Sequence, residues 1–184
     1  MTDKIFLLDI VEDTTVDGPG FRTSLYAAGC THHCPGCHNP HSWKKENGFA
    51  WSLDTVMERI CRAEFSNVTF SGGDPLMQPE AFTRLACRIR RETRKTIWCY
   101  TGYLYERIIR SGRLSAILPY IDVLVDGPFI ACLRDESLCF AGSSNQRIID
   151  VASSLRADRL IRWNPESSGF VPFETKVFQP GMTY

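Results

Sequence analysis

The sequence predicts an α/β protein: a mainly parallel sheet with helices outside it, curled into a partial, open (β/α) barrel. Three observations carry this expectation. Short β-branched and aromatic runs alternate with stretches of helical apolar spacing, the order that gives parallel sheets with right-handed crossovers. Turn residues follow the apolar runs closely, at Gly29-Cys30, Ser71-Gly72-Gly73-Asp74, Thr101-Gly102 and Asp126-Gly127. The chain has 184 residues, too few for a closed eightfold barrel, which takes about 250.

The elements follow in order. Lys4 to Val11 reads as a short strand or N-terminal extension, and Glu12 to Gly20 as an acidic turn ending in Asp17-Gly18-Pro19-Gly20. Phe21 to Ala28 is a buried strand, and Ser42 to Ala50 is polar loop. Ser52 can cap a helix that puts Leu53, Val56, Met57 and Ile60 on one face, with Cys61 expected on the same buried face. Asn67 to Phe70 is the next strand. Pro79 then opens a helix carrying Phe82, Leu85, Ala86 and Ile89 inward and Arg84, Arg88 and Arg91 outward. Thr96 to Tyr100 is a strand, followed by a helix with Leu104, Ile108 and Ile109 that stops near Gly112. A short turn holds Leu114, Ile117 and Leu118. Ile121 to Val125, Arg147 to Val151 and Leu160 to Trp163 are the remaining strand-like runs. Residues 164–184 read as an irregular arm, and no linker divides the chain, so residues 1–184 are expected to form one domain.

Lys plus Arg and Asp plus Glu both number 21, giving zero net charge. No global field then draws the chain to nucleic acid or to a membrane. The early apolar stretch is broken by Asp9 and lacks the basic start of a signal peptide. Eight cysteines without such a signal point to a reducing cytoplasm.

Three of those cysteines lie in one loop, Cys30, Cys34 and Cys37, spaced C-x3-C-x2-C, with Pro35-Gly36 supplying the turn. Three thiolates this close can share a metal centre. A [4Fe-4S] cluster normally takes four Cys ligands, so a set of three leaves one iron open to a small molecule. A structural zinc with His32, His33, His38 or His41 as fourth ligand is the alternative, and a zinc-binding adaptor the corresponding non-enzyme function. Cys61, Cys87, Cys99, Cys132 and Cys139 form no second C-x2-C.

In parallel α/β architectures the ends of the strands share one rim, and ligands bind there. The cysteine loop and the Gly72-Gly73 loop would then face one pocket. Gly72 and Gly73 allow close approach to main-chain groups. Asp74 and Asp126 offer carboxylates to an ammonium or a ribose hydroxyl. An amino-acid end joined to a nucleoside meets these demands together with the open iron.

Over roughly residues 17–150 the sequence resembles radical S-adenosylmethionine enzymes, and within them the activators of anaerobic ribonucleoside-triphosphate reductases. The matching stretches are Asp17 to Gly20, Gly29 to Cys37, Ser71-Gly72-Gly73-Asp74-Pro75-Leu76, Trp98 to Tyr103, Val123 to Gly127 and Gly142 to Gln146. The resemblance implies that Cys30, Cys34 and Cys37 bind a [4Fe-4S] cluster. It further implies that S-adenosyl-L-methionine chelates the free iron. The backbone of Gly36, Cys37 and His38 would lie beside its adenine. Gly72 and Gly73 would hold its methionyl end, with Ser71 and Asp74 as further cofactor contacts and Asp126 further around the pocket. Reduction by a flavodoxin-like or other low-potential donor would yield a 5′-deoxyadenosyl radical. That radical would make a glycyl radical on the large reductase subunit. Activation of another glycyl-radical enzyme such as pyruvate formate-lyase, whose activators share Cys37-His38-Asn39, and chemistry on a small metabolite are the alternatives.

Overall fold

A computed structural model of the chain describes residues 3–165. Its centre is an open seven-stranded sheet in the order β3-β1-β2-β4-β5-β6-β7. The strands are β1 Lys4–Thr14, β2 Arg22–Ala27, β3 Phe49–Ser52, β4 Asn67–Gly72, β5 Ile97–Tyr100, β6 Val123–Asp126 and β7 Arg147–Asp150. The helices are α1 Leu53–Arg62, α2 Pro79–Glu92, α3 Tyr105–Ile109, α4 Gly112–Ser115 and α5 Val151–Ala157.

Only β2, β4, β5 and β6 run parallel to their neighbours in the centre. β1 pairs antiparallel with β2 and β3, and β7 antiparallel with β6. The sheet is therefore mixed, a correction to the mainly parallel one expected, and its edges stay apart. The reason lies in the connections. The parallel pairs are joined through helices, whereas β7 returns beside β6 after an irregular strap, 127–146, that contains a 3-10 turn at Ala131–Leu133 and an isolated bridge between Arg134 and Ser143.

Local sequence explains most elements. Ser52 caps α1 by accepting the Thr55 N–H at 3.0 Å, and Leu53, Val56, Met57 and Ile60 are buried as the spacing predicts. Cys61 is exposed instead, because the next position around the helix has already turned to solvent. Pro79 opens α2, whose Phe82, Leu85, Ala86 and Ile89 are buried; Phe82 meets Phe70 edge-on at 5.0 Å. On its outer face Arg88 pairs with Asp54 and Glu92. In α3 the buried residues are Tyr105 and Ile108, while Leu104 and Ile109 are exposed. β3 begins in what reads as polar loop, at Phe49 and Ala50, and β1 runs three residues further than expected. The Leu160 to Trp163 run contributes one bridge, Arg162 to Ile149. Most of the arm, 166–184, lies outside the described residues.

One sheet face packs on the helices around Leu25, Phe70, Cys99 and Leu124. The other carries Trp98, Val123 and Val125, covered by Phe140 and Trp163. Among the described residues no helix is long and apolar enough to cross a membrane.

Candidate metal centre and ligand cavity

The punctuated strand ends meet. Gly73 N–H donates to Ala27 O at 2.8 Å and Asp74 N–H to Gly29 O at 2.9 Å, zipping the β4 loop onto the strand that leads to Cys30. Gly29 N–H and Cys30 N–H reach Ser42 O and Trp43 O, and Cys37 N–H closes the turn on Cys34 O at 3.1 Å. Two points of this zipped junction require glycine. Gly72 has φ +96°, and a Cβ there would lie 2.5 Å from Ala27 N; one on Gly73 would lie 2.5 Å from Gly29 O.

These contacts frame a cavity of about 650 Å³, within the range of small-molecule sites. Cys30, Cys34, Cys37 and His38 line one side, and Ser71, Gly72, Gly73, Thr101 and Gly102 another. Phe129, Leu138 and Phe140 of the strap form an apolar wall. Gly36 is not in the lining; it packs on the strap, where a Cβ would approach Ala131 to 3.2 Å. A second cavity, about 500 Å³, opens around Arg22, Trp98 and Trp163 near the starts of the central strands. It holds no thiol.

The two expected ligand carboxylates do not face the cavity. Asp74 is fully buried. Its oxygens accept from His32 Nε2 at 2.6 Å, Leu76 N–H at 2.8 Å, Thr101 Oγ1 at 2.9 Å and Gly102 N–H at 3.1 Å. Asp126, also fully buried, accepts from Tyr105 N–H at 2.6 Å and from Arg147 Nε at 2.9 Å, and Arg147 reaches on to Glu106. Both carboxylates therefore have their partners within the protein, a correction to the contacts expected of them. Sequence reasoning missed Tyr26, Tyr100 and the strap residues of the lining. Tyr26 donates to Asp17, and burial, then that bond, push its phenol up. Both tyrosines follow from the strand alternation; the strap has no periodicity to read.

The donor set fits an iron–sulfur cube. All three thiols are free and half-buried. Burial pushes the Cys30 thiol up, and a backbone hydrogen bond at His32 works against it. Among the described residues no three His, Cys, Asp or Glu side chains converge on a point that one ion could occupy. A cube takes each thiolate on a separate corner.

A model of the 4Fe-4S single cluster domain matches residues 16–149. The three thiols and this match define an iron–sulfur protein with a [4Fe-4S] cluster as its cofactor. The anaerobic ribonucleoside-triphosphate reductase-activating protein of Haemophilus influenzae is 41% identical over 143 residues, 72% of this chain and 90% of that one. The protein of the same name from Escherichia coli K12 is 37% identical, covering 71% and 89%. That of Enterobacteria phage T4 is 34% identical, covering 79% and 91%. The chain belongs to the family of anaerobic ribonucleoside-triphosphate reductase-activating proteins. Among solved structures, QueE from Escherichia coli aligns at TM-score 0.45 and 15% identity over 54% of this chain and 52% of that one, a likeness too distant to bear on fold or site.

Proposed function

We propose that the chain activates an anaerobic (class III) ribonucleoside-triphosphate reductase by reductive cleavage of S-adenosylmethionine at a [4Fe-4S] cluster. The observation that carries this reading is the meeting of three free thiols with the Gly72-Gly73 backbone at one cavity, in a member of the activating family. When bound, the cluster and S-adenosylmethionine would supply the radical chemistry for removing hydrogen from a glycine of the large reductase subunit.

The chain's own residues have distinct tasks. Cys30, Cys34 and Cys37 hold the cluster and leave one corner open. The backbone of Gly72 and Gly73, beside Ser71, receives the methionyl end, and that of Cys37 and His38 runs beside the adenine, with Gly36 packed on the strap behind them. Asp74 and Asp126 act from behind, fixing the loops. Phe129, Leu138 and Phe140 keep water from the cavity, as a reactive carbon radical requires. A flavodoxin-like or other low-potential protein delivers the electron. The sheet is read as the partial barrel of this enzyme class, residues 1–184 as one domain, and the eight free thiols suit a reducing cytoplasm.

The test combines the reconstituted chain, the large reductase subunit, S-adenosylmethionine and dithionite without oxygen. Electron paramagnetic resonance is expected to detect a glycyl radical only in the complete mixture. Cleavage stimulated by a small metabolite, with no radical on the reductase, would contradict the reading.

A further inference from the structure

The histidine between the first two cysteines points away from the exposed face of its loop. The His32 side chain is 17% exposed. Its Nε2 donates to the buried Asp74 carboxylate at 2.6 Å, and its ring meets Tyr103 edge-on at 4.6 Å. The socket is shaped for it. A Cβ on Gly102 would lie 2.4 Å from His32 Cδ2, so the residue after Thr101 must be glycine for the ring to enter. The floor of the socket is rigid. Asp74 also bonds Leu76 N–H, Thr101 Oγ1 and Gly102 N–H, tying the β4 and β5 loops together. At its start the cysteine loop is held by Cys30 N–H to Trp43 O, and within it Cys37 N–H closes a turn on Cys34 O.

We propose that His32 is a positioning residue for the metal centre. Its imidazole, plugged into Asp74 and against the Gly102 backbone, fixes the loop at its middle and sets where Cys30 and Cys34 present their sulfurs. Groups that orient metal ligands govern affinity and potential without touching the metal. The assignment rests on the cluster reading above. It also separates loop placement from folding. Asp74 keeps its remaining donors when His32 is removed, so the fold should survive the change.

The test compares the wild-type chain with His32→Ala, His32→Gln and Gly102→Ala after anaerobic reconstitution with iron and sulfide. Gln carries an amide nitrogen at the reach of Nε2 and can restore the bond to Asp74. Gly102→Ala leaves both partners in place and pushes the ring out of its socket. Iron retention against a chelator, the cluster's midpoint potential and its paramagnetic spectrum before and after S-adenosylmethionine are read, with a melting curve for each chain. His32→Ala and Gly102→Ala are expected to lose iron roughly tenfold more readily and to give an altered spectrum at near-normal melting temperature, and His32→Gln to recover both. Wild-type retention, potential and spectrum in His32→Ala would overturn the assignment, as would a Gln variant no better than Ala. Should His32→Ala fail to fold, Gly102→Ala and His32→Gln decide by the same measures. A wild-type chain that takes up no iron–sulfur cluster would instead sink the proposed function, and this assignment with it.

Discussion

Gly73 carries no side chain because its space is taken: a Cβ would lie 2.5 Å from Gly29 O and 2.9 Å from Ala27 O, both backbone. Gly73→Ala should therefore push the β4 loop off the strand leading to Cys30. The expected cost is about 1–3 kcal/mol in a melting experiment, with weakened iron retention; an unchanged melting curve would contradict the packing. The Cys30 thiol, pushed up by burial, must lose its proton to bind iron. Cluster assembly, followed by absorbance, should thus be faster near about pH 8.5 than near about pH 7. The sign for the apo fold is opposite. A thiol whose folded pKa is raised ionises first in the unfolded chain, so its burial costs stability as pH climbs past the ordinary value. Residue types foretold which groups gather here, and the three cysteines and two glycines stand where their spacing implied. Direction was hidden. Asp74 is turned by His32, 42 positions away, and Asp126 by Arg147, 21 positions away, and no local pattern encodes such partners.

Among the elements, the strongly periodic ones are the ones written plainly in the chain. α1 and α2 follow from a cap, a proline and apolar residues three and four apart. Ser52→Ala should cost about 1 kcal/mol through the lost Thr55 bond, measured by denaturant unfolding. β3 was unreadable because its four residues sit at an edge with almost no burial, so it has no alternation to detect. The β1 extension past Val11 was masked by turn-forming residues that enter the strand through a register shift. Arg147 at the start of β7, where the strap ends, ties it to β6 through Asp126 and to α3 through Glu106. Arg147→Met leaves the buried Asp126 carboxylate without its cation. A loss of about 3–5 kcal/mol is expected, and a change within error in the melting curve would show that the pair does not anchor the strap.

For the whole molecule, the useful asymmetry is between the two ends of the central strands. One end gathers the thiols, the glycine backbone and an apolar wall around about 650 Å³. The other holds Arg22, buried against carbonyl oxygens and Thr69 and pulled down to about 10 chiefly by that burial. The turn residues that follow the apolar runs are legible in the sequence, and the loops they form line one cavity. Sequence reasoning misjudged the sheet, because an antiparallel edge strand such as β7 is as short and apolar as a parallel one. The chemistry reduces to one demand: three sulfur donors from this chain, and a metal corner left for the ligand. The decisive experiment reconstitutes the wild-type chain and Cys34→Ala anaerobically, adds dithionite and S-adenosylmethionine, and quantifies methionine and 5′-deoxyadenosine. The wild type should bind iron and sulfide and release both products, and Cys34→Ala neither. A colourless wild-type protein holding one zinc and leaving S-adenosylmethionine intact would contradict the proposed chemistry at its root.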